Sequence, residues 1–77
     1  MDLQALDEFV TLSITRSFSV AAEQLHISQP SLSHHVKALE TETGAQLVER
    51  ANPIMLTDAG KSVLNMATTV LSAVEGI

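Results

Sequence analysis

Between Glu23 and Glu40 the chain carries no carboxylate, and this window concentrates groups that donate hydrogen bonds or carry positive charge: Ser28, Gln29, Ser31, Ser33, His34, His35 and Lys37. Short donors around one permanent cation suit the edges of bases and the phosphates of a nucleic acid. An amide such as Gln29 can bond adenine N6 and N7 together, Ser31 and Ser33 can reach phosphate or base, and Lys37 can neutralise a phosphate. Two other chemistries use the same residue types and fit less well. Adjacent histidines on a helix point about 100° apart, so His34 and His35 do not converge, and neither has a histidine or carboxylate four residues on. No metal site is expected. Serines, histidines and aspartates are scattered along a chain too short to enclose a pocket, so nothing orients a nucleophile and its base. Neither an enzyme nor a cofactor is expected.

For these donors to act together they must share one side of a helix. Leu32, Val36 and Leu39 fall at i, i+4 and i+7, which buries one stripe and turns Pro30, His34 and Lys37 outward, with Gln29 and Ser33 on their flank. His35 falls beside the buried stripe, where a packing role is predicted. A shorter helix precedes this one, with Ala21, Ala22 and Leu25 as its apolar positions and Ser19 as its predicted N-cap. The two alanines let the second helix cross at close range. His26 occupies the turn between them, where a positive φ is often needed. Ser28 is placed to cap the second helix, Pro30 is tolerated in its first turn, and Gly44 is predicted to close it in the left-handed conformation. This is a helix-turn-helix pattern. Its helix N-termini, Ser19 included, also offer amides to phosphates.

A scaffold helix is predicted from about Asp2 to Ile14, with Leu3, Leu6, Phe9, Val10 and Ile14 on one side and Phe18 as a core plug beyond it. From Leu47 the helical period stops. Asn52-Pro53 separates Leu47-Val48 from Ile54-Met55-Leu56, the pattern of a small two-stranded wing. The last helix starts at Thr57, a good N-cap, with Asp58 favourable to the helix dipole. It carries two adjacent apolar seams, one through Ala59, Val63, Met66, Val70, Ala73 and Ile77, the other through Leu64, Ala67, Leu71 and Val74. Two seams are wider than a small monomer needs, which predicts a helix partner through Val63, Met66, Val70, Ala73 and Ile77.

From Leu3 to Gly60 the ordered set Leu3, Leu6, Phe9, Ser17-Phe18, Ala21-Ala22, Leu25, Ser28-Gln29-Pro30, Leu32-Ser33, Leu39-Glu40, Gly44, Leu47, Glu49-Arg50 and Leu56-Thr57-Asp58-Ala59-Gly60 resembles the N-terminal domain of LysR-type transcriptional regulators. The resemblance implies a mainly α, winged helix-turn-helix fold in a bacterial protein. It also implies a linker helix that pairs two subunits and an effector-binding domain that these 77 residues do not include. A small-molecule effector would act only through that domain. The family wing often carries basic residues toward the minor groove; here Arg50 remains, with Asn52 as a polar group at the tip. Where the family commonly has arginine, this chain has His34, which cannot make a forked contact to guanine.

Nine acids against four bases give a formal charge of −5, the wrong sign for a domain that neutralises phosphate, so the acid-free window must supply a local face on an acidic body. An apolar content of 45% is globular, and the absence of cysteine is compatible with a reducing cytoplasm. The start lacks a positively charged signal region, and no apolar run is long enough to span a bilayer. The resulting expectation is a DNA-binding domain over residues 1–57 and a dimerising linker helix over 58–77, binding double-stranded DNA as a homodimer in the cytoplasm. The contacts expected are Ser19, Ser28, Gln29, Pro30, Ser31, Ser33, His34, Lys37, Arg50 and Asn52. The alternative is a winged-helix interaction or dimerisation module with weak or lost DNA affinity, which the acidic balance, His34 and the bare wing favour.

Overall fold

The computed structural model describes residues 1–76, so Ile77, one of the expected dimer positions, lies outside the described residues. Its elements are α1 (Leu3–Thr15), α2 (Phe18–Leu25), α3 (Gln29–Thr43), β1 (Val48–Glu49), β2 (Met55–Leu56) and α4 (Asp58–Glu75). This is the expected winged helix-turn-helix with a C-terminal helix. The strands pair antiparallel, Val48 opposite Leu56 and Glu49 opposite Met55.

Each helix starts on a side chain that takes up a free backbone donor. Asp2 accepts from the Ala5 N–H at 2.8 Å, Ser17 from Val20 at 3.1 Å, Ser28 from Ser31 at 3.1 Å and Thr57 from Gly60 at 3.0 Å. The cap of α2 is therefore Ser17; Ser19, the expected cap, sits inside the first turn. The helix begins two residues early because α1 ends abruptly at Arg16, which takes the left-handed conformation at φ 55°. His26 at φ 59° and Gly44 at φ 73° close α2 and α3 the same way, as their positions predicted.

The core gathers Phe9 and Leu12 from α1, Ala21 and Ala22 from α2, and Leu32, Val36 and Leu39 from α3 under Leu47, Val48 and Ile54 of the wing. Ala21 has no exposed surface and Ala22 almost none, so α2 meets its neighbours through two small side chains. The phase of α1 differs from expectation. Its buried side includes Leu6, Glu8, Phe9, Leu12 and Ser13, while Leu3 and Ile14 are exposed, Ile14 by 76%. Leu3, Val10 and Ile14 make a second apolar stripe, half-buried at Val10 and exposed at both ends, that sequence alone merges with the core face.

The base of the wing is tied to the helices by backbone and side chain alike. Glu40 Oε2, near the end of α3, accepts from Leu47 N–H at 2.7 Å. The Thr57 hydroxyl donates to Gln46 O at 2.6 Å, and Ile54 N–H donates to Arg16 O at 3.1 Å. Gly60 lies so close to the Leu47 carbonyl that a Cβ there would overlap it. The first three turns of α4 rest on the core through Ala59, Val63 and Leu64, and Ala67 is fully buried; Met66 within these turns, and Ala73 and Val74 beyond them, are exposed.

Candidate nucleic-acid interface

The outward side of α3 is built by its buried stripe. With Leu32, Val36 and Leu39 in the core, Gln29, Pro30, His34 and Lys37 are exposed and Ser33 is half-buried beside them. Ser28 and Ser31 are occupied with each other: Ser28 Oγ accepts the Ser31 N–H and donates to Ser31 Oγ at 2.9 Å. Their first task is starting the helix. His35 turns the other way, toward α1, and its Nδ1 lies 2.9 Å from Glu8 Oε1. Its packing role thus includes a polar contact with a carboxylate that is nearly buried.

A groove of about 290 Å³ runs between the start of α2, the start of α3 and the wing tip. It brings Ser19, Gln29 and Asn52 together with Arg16. Arg50 stands beside it, with its guanidinium 4.7 Å from the Phe18 ring centroid and Nη1 donating to Ser33 Oγ at 2.9 Å. His34 and Lys37 continue the surface along α3. The expected contact residues therefore fall on the start of α2, the outward side of α3 and the wing tip.

Arg16 and Phe18 were missed as members of this region. Arg16 carries no motif that marks it in the sequence, yet it is one of four cations in the chain, closes α1 in the left-handed conformation and lines the groove. Phe18 read only as a core plug; it is half-buried, packs on the core and leaves a face for Arg50.

A second recess, about 310 Å³, lies between α1 and α3 and is lined by Asp2, Glu8, Glu42, His35 and the Met1 amine, which contacts Glu42. Its carboxylates make it a poor site for a polyanion. Three of the nine acids, Asp2, Glu8 and Glu42, line the α1–α3 recess, while Arg16, Arg50 and Lys37 border the groove and the outward side of α3. Among the described residues no three His, Asp or Glu side chains are placed to hold a metal ion.

Residues 3–61 match the model of the bacterial regulatory helix-turn-helix proteins, lysR family. Among curated relatives, the HTH-type transcriptional regulator CatR of Pseudomonas putida is 44% identical over 71 residues, covering 92% of this chain and 25% of that protein. An uncharacterised HTH-type transcriptional regulator from the ibpB-leuC intergenic region of Azotobacter vinelandii is 40% identical over 97% of this chain and 53% of its own length. The chain thus spans between a quarter and about half of these relatives. Among solved structures, the BenM DBD in its complex with benA site 1 DNA superposes with a TM-score of 0.95 at 39% identity, covering 99% of this chain and 86% of that one.

Proposed function

Because the chain belongs to the lysR family of bacterial regulatory helix-turn-helix proteins and is a DNA-binding domain of that family, we propose that α3 enters the major groove and reads sequence through Gln29, Ser33 and His34. Pro30 packs on the groove wall and Lys37 neutralises a phosphate. Ser19 and the first amides of α2 meet the backbone on one side, with Ser28 and Ser31 at the start of α3; Arg50 and Asn52 approach it from the wing. The observation that carries this reading is the division of charge: on an acidic molecule, three of four cations border the face that the helix-turn-helix turns outward.

The same proposal includes assembly. Residues 58–77 act as a linker helix, and two copies pair through Met66, Val70, Ala73 and Ile77, with Val63 shared between this contact and its own core. Support comes from the exposed apolar groups along α4, Met66 at its middle at 40% and Val74 near its end at 45%. Two domains related by a twofold axis would read an inverted repeat. The greater length of the relatives supports a further domain through which a small molecule acts, and the bacterial family supports a cytoplasmic location. Among the described residues no helix is long and apolar enough to cross a membrane. An interaction module without DNA affinity is not favoured, since such a module has no need to gather its cations on this face.

The test is a fluorescence-anisotropy titration over a range of salt, using a duplex selected from randomised DNA by the chain itself. A dimer presenting Arg16, Lys37 and Arg50 from each subunit should give a log–log slope no steeper than about −5. Failure to select any duplex would refute the reading, and a slope of about −8 or steeper would show cationic contacts elsewhere.

A further inference from the structure

Hydroxyls within helices often donate to the carbonyl one turn back, and among the described residues seven do: Thr11, Ser13, Thr15, Thr41, Thr43, Thr68 and Thr69. Ser33 does not. Its Oγ accepts from Arg50 Nη1 at 2.9 Å, across the gap between α3 and the wing. The arginine is itself fixed, because its guanidinium lies 4.7 Å over the Phe18 ring, and a planar cation on an aromatic face holds its donors in one plane. One lone pair of Ser33 is thereby occupied by a charged donor, and its own proton has no acceptor among the described residues. A hydroxyl that accepts from a cation becomes a stronger donor and a poorer acceptor for its next partner.

We propose that Arg50 is a positioning residue: stacked on Phe18, it converts the Ser33 hydroxyl into a fixed donor aimed at a hydrogen-bond acceptor on DNA. This rests on the DNA-binding reading above and assigns one contact its chemistry. The acceptors within that chemistry are base-edge groups such as guanine O6 and N7 or thymine O4, and phosphate oxygens; exocyclic amines are disfavoured. The stacked fork distinguishes this role from that of a point charge. Lysine in place of Arg50 keeps the charge near the backbone but has neither the planar face nor donors in fixed directions.

The experiment compares wild type, Arg50→Lys, Ser33→Ala and the double variant of the 77-residue chain on the duplex selected by wild type, with circular dichroism melts showing that each is folded. Arg50→Lys should weaken binding by the loss of one charge-assisted hydrogen bond in each subunit, about tenfold per subunit and about a hundredfold for the dimer, with the salt slope unchanged. Ser33→Ala should weaken it similarly, and the double variant should be little worse than either single one, since both remove the same contact. Selection repeated with the single variants separates the two acceptors. Relaxed preference at the same base pair in both marks a base edge, and uniform weakening with preference intact marks a phosphate oxygen. The proposal is overturned if Arg50→Lys binds like wild type, if its slope falls by about two units, one lost phosphate contact in each subunit of the dimer, or if the two losses simply add. If wild type selects no duplex, the DNA-binding reading itself fails and this inference goes with it.

Discussion

Replacing His35 with alanine should destabilise the domain far more than its half-exposed position suggests, because the damage falls on Glu8. The Glu8 side chain is 5% exposed, and its Oε1 lies 2.9 Å from His35 Nδ1. Its other oxygen has only a long contact, 3.5 Å, from Gln4 Nε2. A carboxylate accepts, so the imidazole carries its proton on Nδ1. Deleting the ring leaves an ionised group at the α1–α3 contact with no short partner. Breaking a fully buried pair costs about 3–5 kcal/mol, and an exposed pair is worth about 0–1. Because the His35 side chain is 42% exposed, water screens this pair and enters the space left behind. The expected cost is therefore about 1–3 kcal/mol, or roughly 5–20 °C in melting temperature for a domain of this size. The partner substitution should behave differently. Glu8→Met removes the buried charge and fills similar volume, so it should lie within about 1 kcal/mol of wild type. The double variant should recover most of the His35→Ala loss. Urea unfolding at one fixed protein concentration measures all four chains, the fixed concentration being needed because pairing links stability to mass action. If His35→Ala costs under about 0.5 kcal/mol, or if Glu8→Met is as damaging as His35→Ala, the pair does not hold α1 to α3 as described.

Three further outcomes follow from local geometry. Gly60→Ala should destabilise by about 1–3 kcal/mol in thermal melts, since its methyl meets the Leu47 carbonyl and either α4 or the wing base must shift; an unchanged melt would show that the two elements are free to separate. Ser17→Ala should cost about 1 kcal/mol by loss of the α2 cap, whereas Ser19→Ala should change urea stability by less than about 0.5; the reverse ranking would return the cap to Ser19. Val70→Asp places a charge on the distal apolar face of α4 and should convert a dimer to a monomer in sedimentation at micromolar concentration, so a wild-type chain already monomeric there would defeat the pairing proposal.

What the sequence made legible was local. Ser28-Gln29-Pro30, His26, Gly44 and Thr57 each act on backbone within four residues, so cap preference and αL tolerance located α3 and the start of α4 without tertiary information. Long-range pairings were hidden. Nothing in the sequence marks Glu8 as buried, because its partner His35 is 27 residues away, and Arg50 gave no sign that Phe18 and Ser33 would hold it. Alpha-helical period alone could not choose between the two apolar stripes of α1, since Leu3, Val10 and Ile14 have a sound helical spacing and only Leu12, facing the core, breaks the tie. Ser17 and Ser19 are equally good caps by type; the left-handed turn at Arg16 decides between them.

The central claim, that DNA lies across α3, the start of α2 and the wing, is tested most directly by mapping amide shifts of the ¹⁵N-labelled chain as the selected duplex is added. DNA lying there should give the largest changes at Ser17–Val20, Gln29–Lys37 and Arg50–Asn52, with Asp2–Ala5 and Glu42 little affected. Shifts concentrated instead around Asp2, Gln4 and Glu42, with the start of α3 unchanged, would contradict it.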